Sequence, residues 1–110
     1  MSEPSLPVID FMFNWNNKLD CSSYTTIRLA NSKYEINQLY EVRLNRAPIH
    51  HARIIAIKSF LLKDLNEFIA RIDTGYSKEE CRKLILTMYK NSNINFESKL
   101  LYLILLLKEK

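Results

Sequence analysis

Eight consecutive apolar residues near the C-terminus, at positions 100–107, limit the folds open to this chain more than any other segment. A lysine bounds the run at each end, and the run is far too short to cross a bilayer. Leucine favours helix, but a run of this length makes only about two helical turns. A strand that is buried on both faces suits it better. We therefore expect a central strand of a sheet, with neighbours on both sides.

Alternation of apolar and polar residues predicts the neighbouring strands. Residues 8–15 carry an apolar side chain at every second position, and residues 40–44 show the same alternation. Residues 52–57 form a mostly buried strand, which should pair antiparallel with 40–44 across a loop at 45–51. A polar bend leads from the first strand into a further strand at 21–29.

The spacing of apolar residues then changes from that of a strand to that of a helix. Asp64 and Glu67 form a capping-box pattern at the start of the first helix. Gly75, the only glycine in the chain, is placed to end this helix in a left-handed conformation. The apolar residues between them recur at helical spacing and predict the buried face: Leu65, Phe68, Ile69 and Ile72.

A second capping box, Ser77 with Glu80, begins another helix that reaches about Tyr89. Its apolar stripe consists of Cys81, Leu84, Ile85 and Met88. The whole pattern, five strands and two helices without repeats or linkers, predicts an α+β fold. We expect one domain over residues 8–110, preceded by a disordered segment at 1–7.

Composition agrees with one globular domain and excludes few functions. The chain has 110 residues, of which 47% are hydrophobic, and its net charge of +4 permits an anionic partner without requiring one. Cys21 and Cys81 lack the spacing of a metal site, which predicts free thiols in a reducing compartment. Glu3 stands where a signal peptide needs basic residues, so we expect a cytoplasmic protein without a membrane segment. The sequence implies neither a metal nor a cofactor.

Polar side chains mark the strand at 21–29 as the candidate site. In a strand, Thr26 and Arg28 share one face, and Ile27 and Leu29 lie on the other. Potential nucleophiles, one cysteine and several serine and threonine hydroxyls, thus lie beside a fixed cation. The plainer interpretation is a half-exposed strand with a solvated arginine, because exposed threonines are ordinary in strands.

The run Thr25-Thr26-Ile27-Arg28 resembles the Lys-Thr-x-Thr-Ile-Arg signature of ASCH domains in the PUA-like superfamily. The following strands and helices fall where such domains have theirs. The resemblance implies a small, mostly antiparallel β-barrel of about five strands, with two helices packed against it and a cleft beside the Thr-Ile-Arg strand. The family includes predicted RNA binders, some proteins that cleave RNA, and small bacterial acetylcytidine amidohydrolases, which this sequence resembles most.

The resemblance to the amidohydrolases also implies catalytic roles. Their nucleophilic threonine corresponds to Thr26, and their glutamate corresponds to Asp73, a carboxylate shorter by one methylene. Their lysine falls on Ser23, whose neutral hydroxyl is a poor base and a poor partner for negative charge. Lys18 in the preceding bend could supply that charge, although nothing in the spacing requires it. Asn37 replaces a glycine, and asparagine tolerates the same left-handed backbone.

Some residues are candidates without any family. Asp73 stands in the last turn of the first helix, where the macrodipole disfavours an anion. It either holds Arg28 at a site or caps the turn into the next helix. Tyr24 could stack on a base or pack in the core. The histidines at 50–51 could line a phosphate path with Arg53, although such residues are usually solvated.

Two functions of different classes fit these observations. The first is a PUA-like module that binds RNA or a nucleoside or nucleotide without chemistry, which Ser23 in place of lysine favours. The ligand-binding residues of this module are Tyr24, Thr25, Thr26, Arg28 and Arg53. The second is an amidohydrolase acting on N-acylated cytidine, with Thr26 as nucleophile, Asp73 as acid and base, and Arg28 or Lys18 supplying positive charge.

Both functions require Thr26, Arg28 and Asp73 to meet at one cleft. A third possibility is a protein-interaction scaffold without a ligand site, because a fold does not dictate a function.

Overall fold

The apolar run near the C-terminus forms β5 (Leu101–Glu109), an interior strand of a five-stranded sheet. The computed structural model describes residues 6–109. The other strands are β1 (Val8–Phe11), β2 (Ser23–Leu29), β3 (Leu39–Leu44) and β4 (Ala47–Phe60). β5 pairs antiparallel with β4 on one side and with β2 on the other, which confirms the central position expected of it.

The sheet has the order β1-β3-β4-β5-β2 and forms a half-barrel that is open between its edge strands β1 and β2. Only the β1–β3 pair is parallel. Across the opening, the ring centroids of Phe11 and Tyr24 are 6.1 Å apart, edge to face. Arg28 Nη2 donates a hydrogen bond of 2.8 Å to the backbone carbonyl of Asp10. With two helices packed on the sheet, the predicted α+β fold is confirmed.

The first strand is shorter than predicted, because β1 ends at Phe11 and does not include residues 12–15. Phe11 pairs with Leu44, the last residue of β3. The backbone N–H of Asn45 then donates to the Phe11 carbonyl at 2.8 Å, and from there β3 turns into β4. Residues 12–15 therefore have no strand to pair with. As a result, Phe13 is exposed and does not continue the apolar face of the strand.

The turn between β3 and β4 occupies only Asn45 and Arg46, so the loop predicted over 45–51 is wrong. Both turn residues have positive φ, 51° and 70°, as tight two-residue hairpins require. Pro48 lies within β4 instead of ending it. The pairing register between β4 and β3 shifts by one residue between His50 and Pro48. This shift is a β-bulge, which tolerates Pro48 although proline has no N–H to donate to the neighbouring strand.

The first helix, α1 (Glu67–Thr74), begins later than its predicted cap. Its N-cap is Asn66, whose side-chain oxygen accepts from the backbone N–H of Ile69 at 2.8 Å. Asp64, the predicted cap, lies in a short 3-10 helix before it. The helix ends at Gly75, whose φ of +80° confirms the left-handed C-terminal residue.

α1 turns a different face to the sheet from the one predicted. Ala70, Asp73 and Thr74 are buried, whereas Phe68 and Ile72 are 74% and 48% exposed. The predicted apolar stripe is therefore wrong at Phe68 and Ile72. The physical reason is that Asp73 on the buried face binds Lys18 and Thr25.

The second helix, α2 (Lys78–Met88), begins as predicted. The Ser77 hydroxyl accepts from the backbone N–H of Glu80 at 3.2 Å and donates to its carboxylate at 2.9 Å, which confirms the capping box. Cys81 and Ile85 are buried in a hydrophobic cluster that β5 and α1 complete. α2 thus packs over one end of the sheet.

Between β1 and β2 the chain forms a kinked 3-10 segment, Trp15–Asp20. Within it, Asn16 and Asn17 have positive φ values of 58° and 53°. Asparagine adopts this left-handed conformation more readily than most residues with a side chain. The kink is followed directly by Lys18, which is buried. The polar bend predicted from the sequence therefore places the charged side chain of Lys18 in the interior.

Two features are absent from residues 6–109, a membrane-spanning helix and a metal-binding cluster. No helix there has both the length and the apolar composition needed to span a membrane. No three His, Cys, Asp or Glu side chains are grouped there as a metal ion requires. The segment 1–7, for which the sequence predicts disorder, falls outside the described residues except for its last two.

Gly75→Ala should lower the free energy of unfolding by about 1–2 kcal/mol, the cost of a left-handed conformation for an L residue. The added Cβ would also lie 3.2 Å from Cγ of Asn16. Urea unfolding followed by circular dichroism measures the change. The control is Asn37→Ala, at an exposed position with φ of 74°, where the native residue already has a Cβ and only the preference of asparagine over alanine for this conformation is lost. A loss in Gly75→Ala no larger than in the control would contradict the cost assigned to a Cβ at position 75.

Candidate functional site

A cavity of about 340 Å³ lies at the opening of the half-barrel. The end of β1, strand β2, the Trp15–Asp20 segment and both helices form its walls. Its polar side chains include Thr26 and Arg28 from β2, Lys18 from the 3-10 segment and Asp73 from α1. The three residues that both functional hypotheses require at one cleft thus lie around one cavity, together with Lys18.

Lys18 and Asp73 form a buried ion pair. Lys18 Nζ lies 2.9 Å from Asp73 Oδ1, and each side chain is only 7% exposed. Burial lowers the pKa of Lys18, and the nearby Arg28 charge lowers it further, whereas the Asp73 carboxylate raises it. Lys18 therefore releases its proton more readily than a lysine on the surface does.

The same ammonium explains why Asp73 can occupy the last turn of α1. A carboxylate at the C-terminal end of a helix lies in the negative part of the helix dipole. Lys18 Nζ donates to Asp73 Oδ1 and also, at 3.0 Å, to the Asp73 backbone carbonyl, one of the terminal carbonyls without a helical partner. A cation from 55 residues earlier in the chain thus compensates both the side chain and the helix end.

The Asp73 carboxylate also receives a hydrogen bond from β2. Thr25 Oγ1 donates to Asp73 Oδ1 at 2.9 Å, the oxygen that binds Lys18. Among residues 6–109, the side-chain hydrogen bonds to this carboxylate all end on Oδ1. No buried side-chain oxygen in that range lacks a partner. The second oxygen, Oδ2, accepts no hydrogen bond within residues 6–109, and Asp73 belongs to the cavity lining.

Arg28 is bound to neutral groups and not to Asp73. Its Nε donates to Thr26 Oγ1 at 3.0 Å, and its Nη2 donates to the Asp10 carbonyl. The guanidinium carbon lies 4.7 Å from the ring centroid of Phe11, a cation–π contact. No carboxylate among residues 6–109 forms an ion pair with it, so the Arg28–Asp73 pair considered from the sequence is absent there. Lys18 takes that position, and within the described part of the chain Arg28 has no carboxylate partner.

Besides Thr25, whose hydroxyl binds Asp73 from outside the lining, three of the candidate residues lie away from this cavity. Ser23 is exposed at the start of β2. Tyr24 is buried in the core, where its hydroxyl lies 2.7 Å from His50 Nε2 and burial raises its pKa. Arg53 pairs with Glu109 at 2.6 Å. The cavity lining includes none of the three.

Sequence reasoning missed the wall that α2 contributes, because it assigned the apolar stripe of this helix to the core alone. Cys81 illustrates the dual role: it is buried, it lines the cavity, and burial together with the Asp73 carboxylate raises its pKa. It is therefore a neutral wall residue. The other α2 residues of the lining are Leu84, Ile85, Thr87 and Met88.

The exposed end of the cavity was also missed. Met12, Phe13 and Trp15 line it from the segment that follows β1. The sequence pattern placed these residues in a strand, and only the register of β1 against β3 reveals that they follow the strand end. No motif in the sequence distinguishes them from core residues.

Lys18→Met should lower the free energy of unfolding by about 3 kcal/mol, because it leaves a buried carboxylate without its partner. The double variant Lys18→Met with Asp73→Asn should lose less than the sum of its single variants, by about 1–3 kcal/mol. Urea unfolding of the four proteins measures this coupling. Arg71→Met is the control, since its pair with Glu67 is 60% and 56% exposed and should contribute little to stability. Additive losses in the double variant would contradict the coupling.

Comparison with known proteins gives a match at the level of structure. No family model and no curated protein matches the sequence. The crystal structure of an ASCH domain from Lactobacillus crispatus JV V101 matches with a TM-score of 0.66 at 17% sequence identity. The match covers 94% of this chain and 79% of that chain. The architecture of this chain is therefore similar to that of an ASCH domain.

Proposed function

We propose that the cavity binds a nucleotide, either free, as a nucleoside or nucleotide, or as one unit of an RNA strand. The observation that carries the proposal is the guanidinium of Arg28 at the cavity wall, which forms no ion pair with a carboxylate of residues 6–109. A guanidinium offers five N–H donors in a planar fork that suits phosphates and base edges. Donors are used on Thr26, on the Asp10 carbonyl and on the Tyr34 hydroxyl, and only the others can bind a ligand.

The size and the lining of the cavity support a ligand of this scale. Small-molecule sites measure about 300–1,000 Å³ and combine an apolar wall with a few polar groups. The cavity here, at about 340 Å³, lies near the lower limit. A nucleobase is apolar on its faces and polar at its edge. Phe11 and α2 provide the apolar wall, and Thr26, Arg28 and Asp73 provide donors and an acceptor.

The fold supports the same class of ligand. Predicted RNA binders occur among the ASCH domains, and the solved structure that matches this chain is an ASCH domain. The net charge of +4 is compatible with a polyanion as well as with a single nucleotide.

Nucleotide binding is testable through Trp15, the only tryptophan in the chain and a residue of the cavity lining. Titration with each of the four ribonucleoside monophosphates should quench its fluorescence for at least one of them. Arg28→Met should weaken that binding about tenfold to a hundredfold, because hydrogen bonds to a charged group contribute about 1.5–3 kcal/mol. Arg71→Met, which removes an exposed arginine of α1, should bind within about twofold of the unmodified protein.

Circular dichroism must show that Arg28→Met is folded before its affinity is interpreted. The proposal fails if neither the four monophosphates nor a pool of random hexaribonucleotides binds. It also fails if the two arginine variants bind equally well.

The position of Lys18 favours a second candidate function, hydrolysis of N-acylated cytidine. The amidohydrolases that the sequence resembles use a lysine where this chain has Ser23, outside the cavity. Lys18 brings an amine to the cavity from the preceding turn, and burial lowers its pKa, which makes it easier for this group to exchange a proton. Thr26, the proposed nucleophile, lines the same cavity.

The reaction would proceed through an acyl-enzyme. The Thr26 hydroxyl attacks the acyl carbon as neutral Lys18 accepts its proton, and Arg28 stabilises the oxyanion. Collapse of the tetrahedral intermediate breaks the carbon–nitrogen bond, and the exocyclic nitrogen of cytidine leaves with a proton from Lys18. Water then cleaves the Thr26 ester, releasing the carboxylic acid. Asp73 orients the lysine throughout.

Release of acetate from N4-acetylcytidine tests this second function. Thr26→Val should reduce turnover to the background rate, and Lys18→Met should reduce it about a hundredfold to ten-thousandfold, as for the loss of an acid–base group. Ser23→Ala should keep the full rate, since Ser23 lies outside the cavity. Nucleotide binding without acetate release would support the binding function and exclude hydrolysis of this substrate. Full activity in Thr26→Val would exclude this mechanism.

A further inference from the structure

The longest strand of the sheet, β4, continues beyond the strand that pairs with it on one side. β3 begins at Leu39, so the two strands separate near Ile54. There the Asn37 N–H donates to the Ile54 carbonyl at 2.7 Å. Over residues 55–60 the sheet joins β4 to β5 alone. Within residues 6–109, the other edge of this stretch therefore has no backbone partner.

The register of β5 shows which backbone groups of β4 face the open edge. The Lys108 N–H donates to the Ser22 carbonyl, so the even-numbered residues of β5 bond to the side of β2. Alternate residues of a strand bond to opposite neighbours, so the odd-numbered residues of β5 bond to β4. Leu103 is one of them, and it lies opposite Lys58. The residues on either side of Lys58 therefore direct their N–H and C=O groups to the open edge: Ile57 and Ser59.

Exposed side chains accompany these backbone groups. Lys58 is exposed and forms no ion pair with a carboxylate in the described part of the chain. Ile55, at the start of the open stretch, is 41% exposed. Ile36, next to Asn37 where β3 leaves β4, is 54% exposed. The edge thus offers backbone hydrogen bonds, apolar contact and one positive charge.

We propose that this edge of β4 binds an extended segment of another protein as an added strand, with a carboxylate side chain opposite Lys58. In strand addition, backbone hydrogen bonds hold the segment and its side chains determine which segment is chosen. The lining of the cavity includes none of residues 55–60. Peptide binding at this edge is therefore independent of nucleotide binding in the cavity.

The charge of Lys58 favours an acidic partner over a second copy of the chain. An antiparallel copy that used the outward groups of both Ile57 and Ser59 would pair each of these residues with the other by two-fold symmetry. Lys58 would then lie opposite the Lys58 of the second copy, and like charges that face each other destabilise a strand pair. A lysine on an edge strand commonly prevents such pairing. Glu or Asp in the added strand would instead be attracted to the same charge.

Amide signals in NMR spectra test the added strand. The probe is the peptide acetyl-Thr-Val-Glu-Val-Thr-amide, and its matched control has Lys in place of Glu. Titration of the isotope-labelled protein with the Glu peptide should shift the amide signals of Ile57 and Ser59 and slow their exchange with deuterated water, because both groups gain an acceptor. The Glu peptide should bind at least about threefold more tightly than the Lys peptide, as expected for a cross-strand charge pair.

Two variants separate the charge from the backbone. Lys58→Glu should reverse the preference, so that the Lys peptide binds more tightly. Ser59→Pro removes one outward N–H at an edge position, where a strand tolerates proline, and should weaken both peptides about twofold to tenfold. Lys83→Glu makes the same charge change at an exposed position of α2 and should keep the preference.

Circular dichroism must show that each variant is folded. If Ser59→Pro does not fold, Lys58→Glu still decides the question, because it changes only an exposed side chain.

Each alternative outcome overturns the proposal. Unshifted signals of Ile57 and Ser59 with both peptides would exclude strand addition at this edge. Equal affinity for the two peptides, or an unchanged preference in Lys58→Glu, would exclude Lys58 as the selecting group. Dimerisation of the free protein that Ser59→Pro abolishes would assign the edge to a second copy of the chain. All of these results leave nucleotide binding, measured through Trp15, unaffected.

Discussion

The buried ion pair between Lys18 and Asp73 connects the 3-10 segment, helix α1 and, through Thr25, strand β2. Removing two charges from water costs several kcal/mol for each, and the cost is recovered only where the geometry is good and further hydrogen bonds are made. Both conditions hold here, since the ammonium also binds the Asp73 carbonyl and the carboxylate also accepts from Thr25. The cavity exists where these three elements meet.

The same pair determines the rotation of α1 about its axis. Burying Phe68 and Ile72 would gain about 1.5–3 kcal/mol for each side chain. Turning Asp73 outward to achieve this would leave the Lys18 ammonium buried without its partner, and breaking such a pair costs about 3–5 kcal/mol. The two terms are comparable, and the pair also satisfies the end of the helix. The observed rotation keeps the charges together and leaves apolar side chains on the surface.

Local patterns in the sequence predicted those parts of the fold that local physics determines. The cap at Ser77, the left-handed Gly75 and the interior position of β5 each follow from a few neighbouring residues. The buried face of α1 and the position of Lys18 depend on partners about 50 residues away in the sequence. The local spacing of apolar residues gives no information about such partners. The early end of β1 likewise depends on where β3 turns, and the only local hint of the inward lysine is the pair of asparagines before it.

The kinked 3-10 segment gives evolution a way to change the cavity. Its ammonium stands on a connecting turn, while the register of the sheet is set by other residues. A substitution in that turn, or a shift of it by one residue, can therefore alter the charge in the cavity without changing any strand pairing in the sheet. Two proteins could share this scaffold closely and still differ in whether they hold a ligand or transform it.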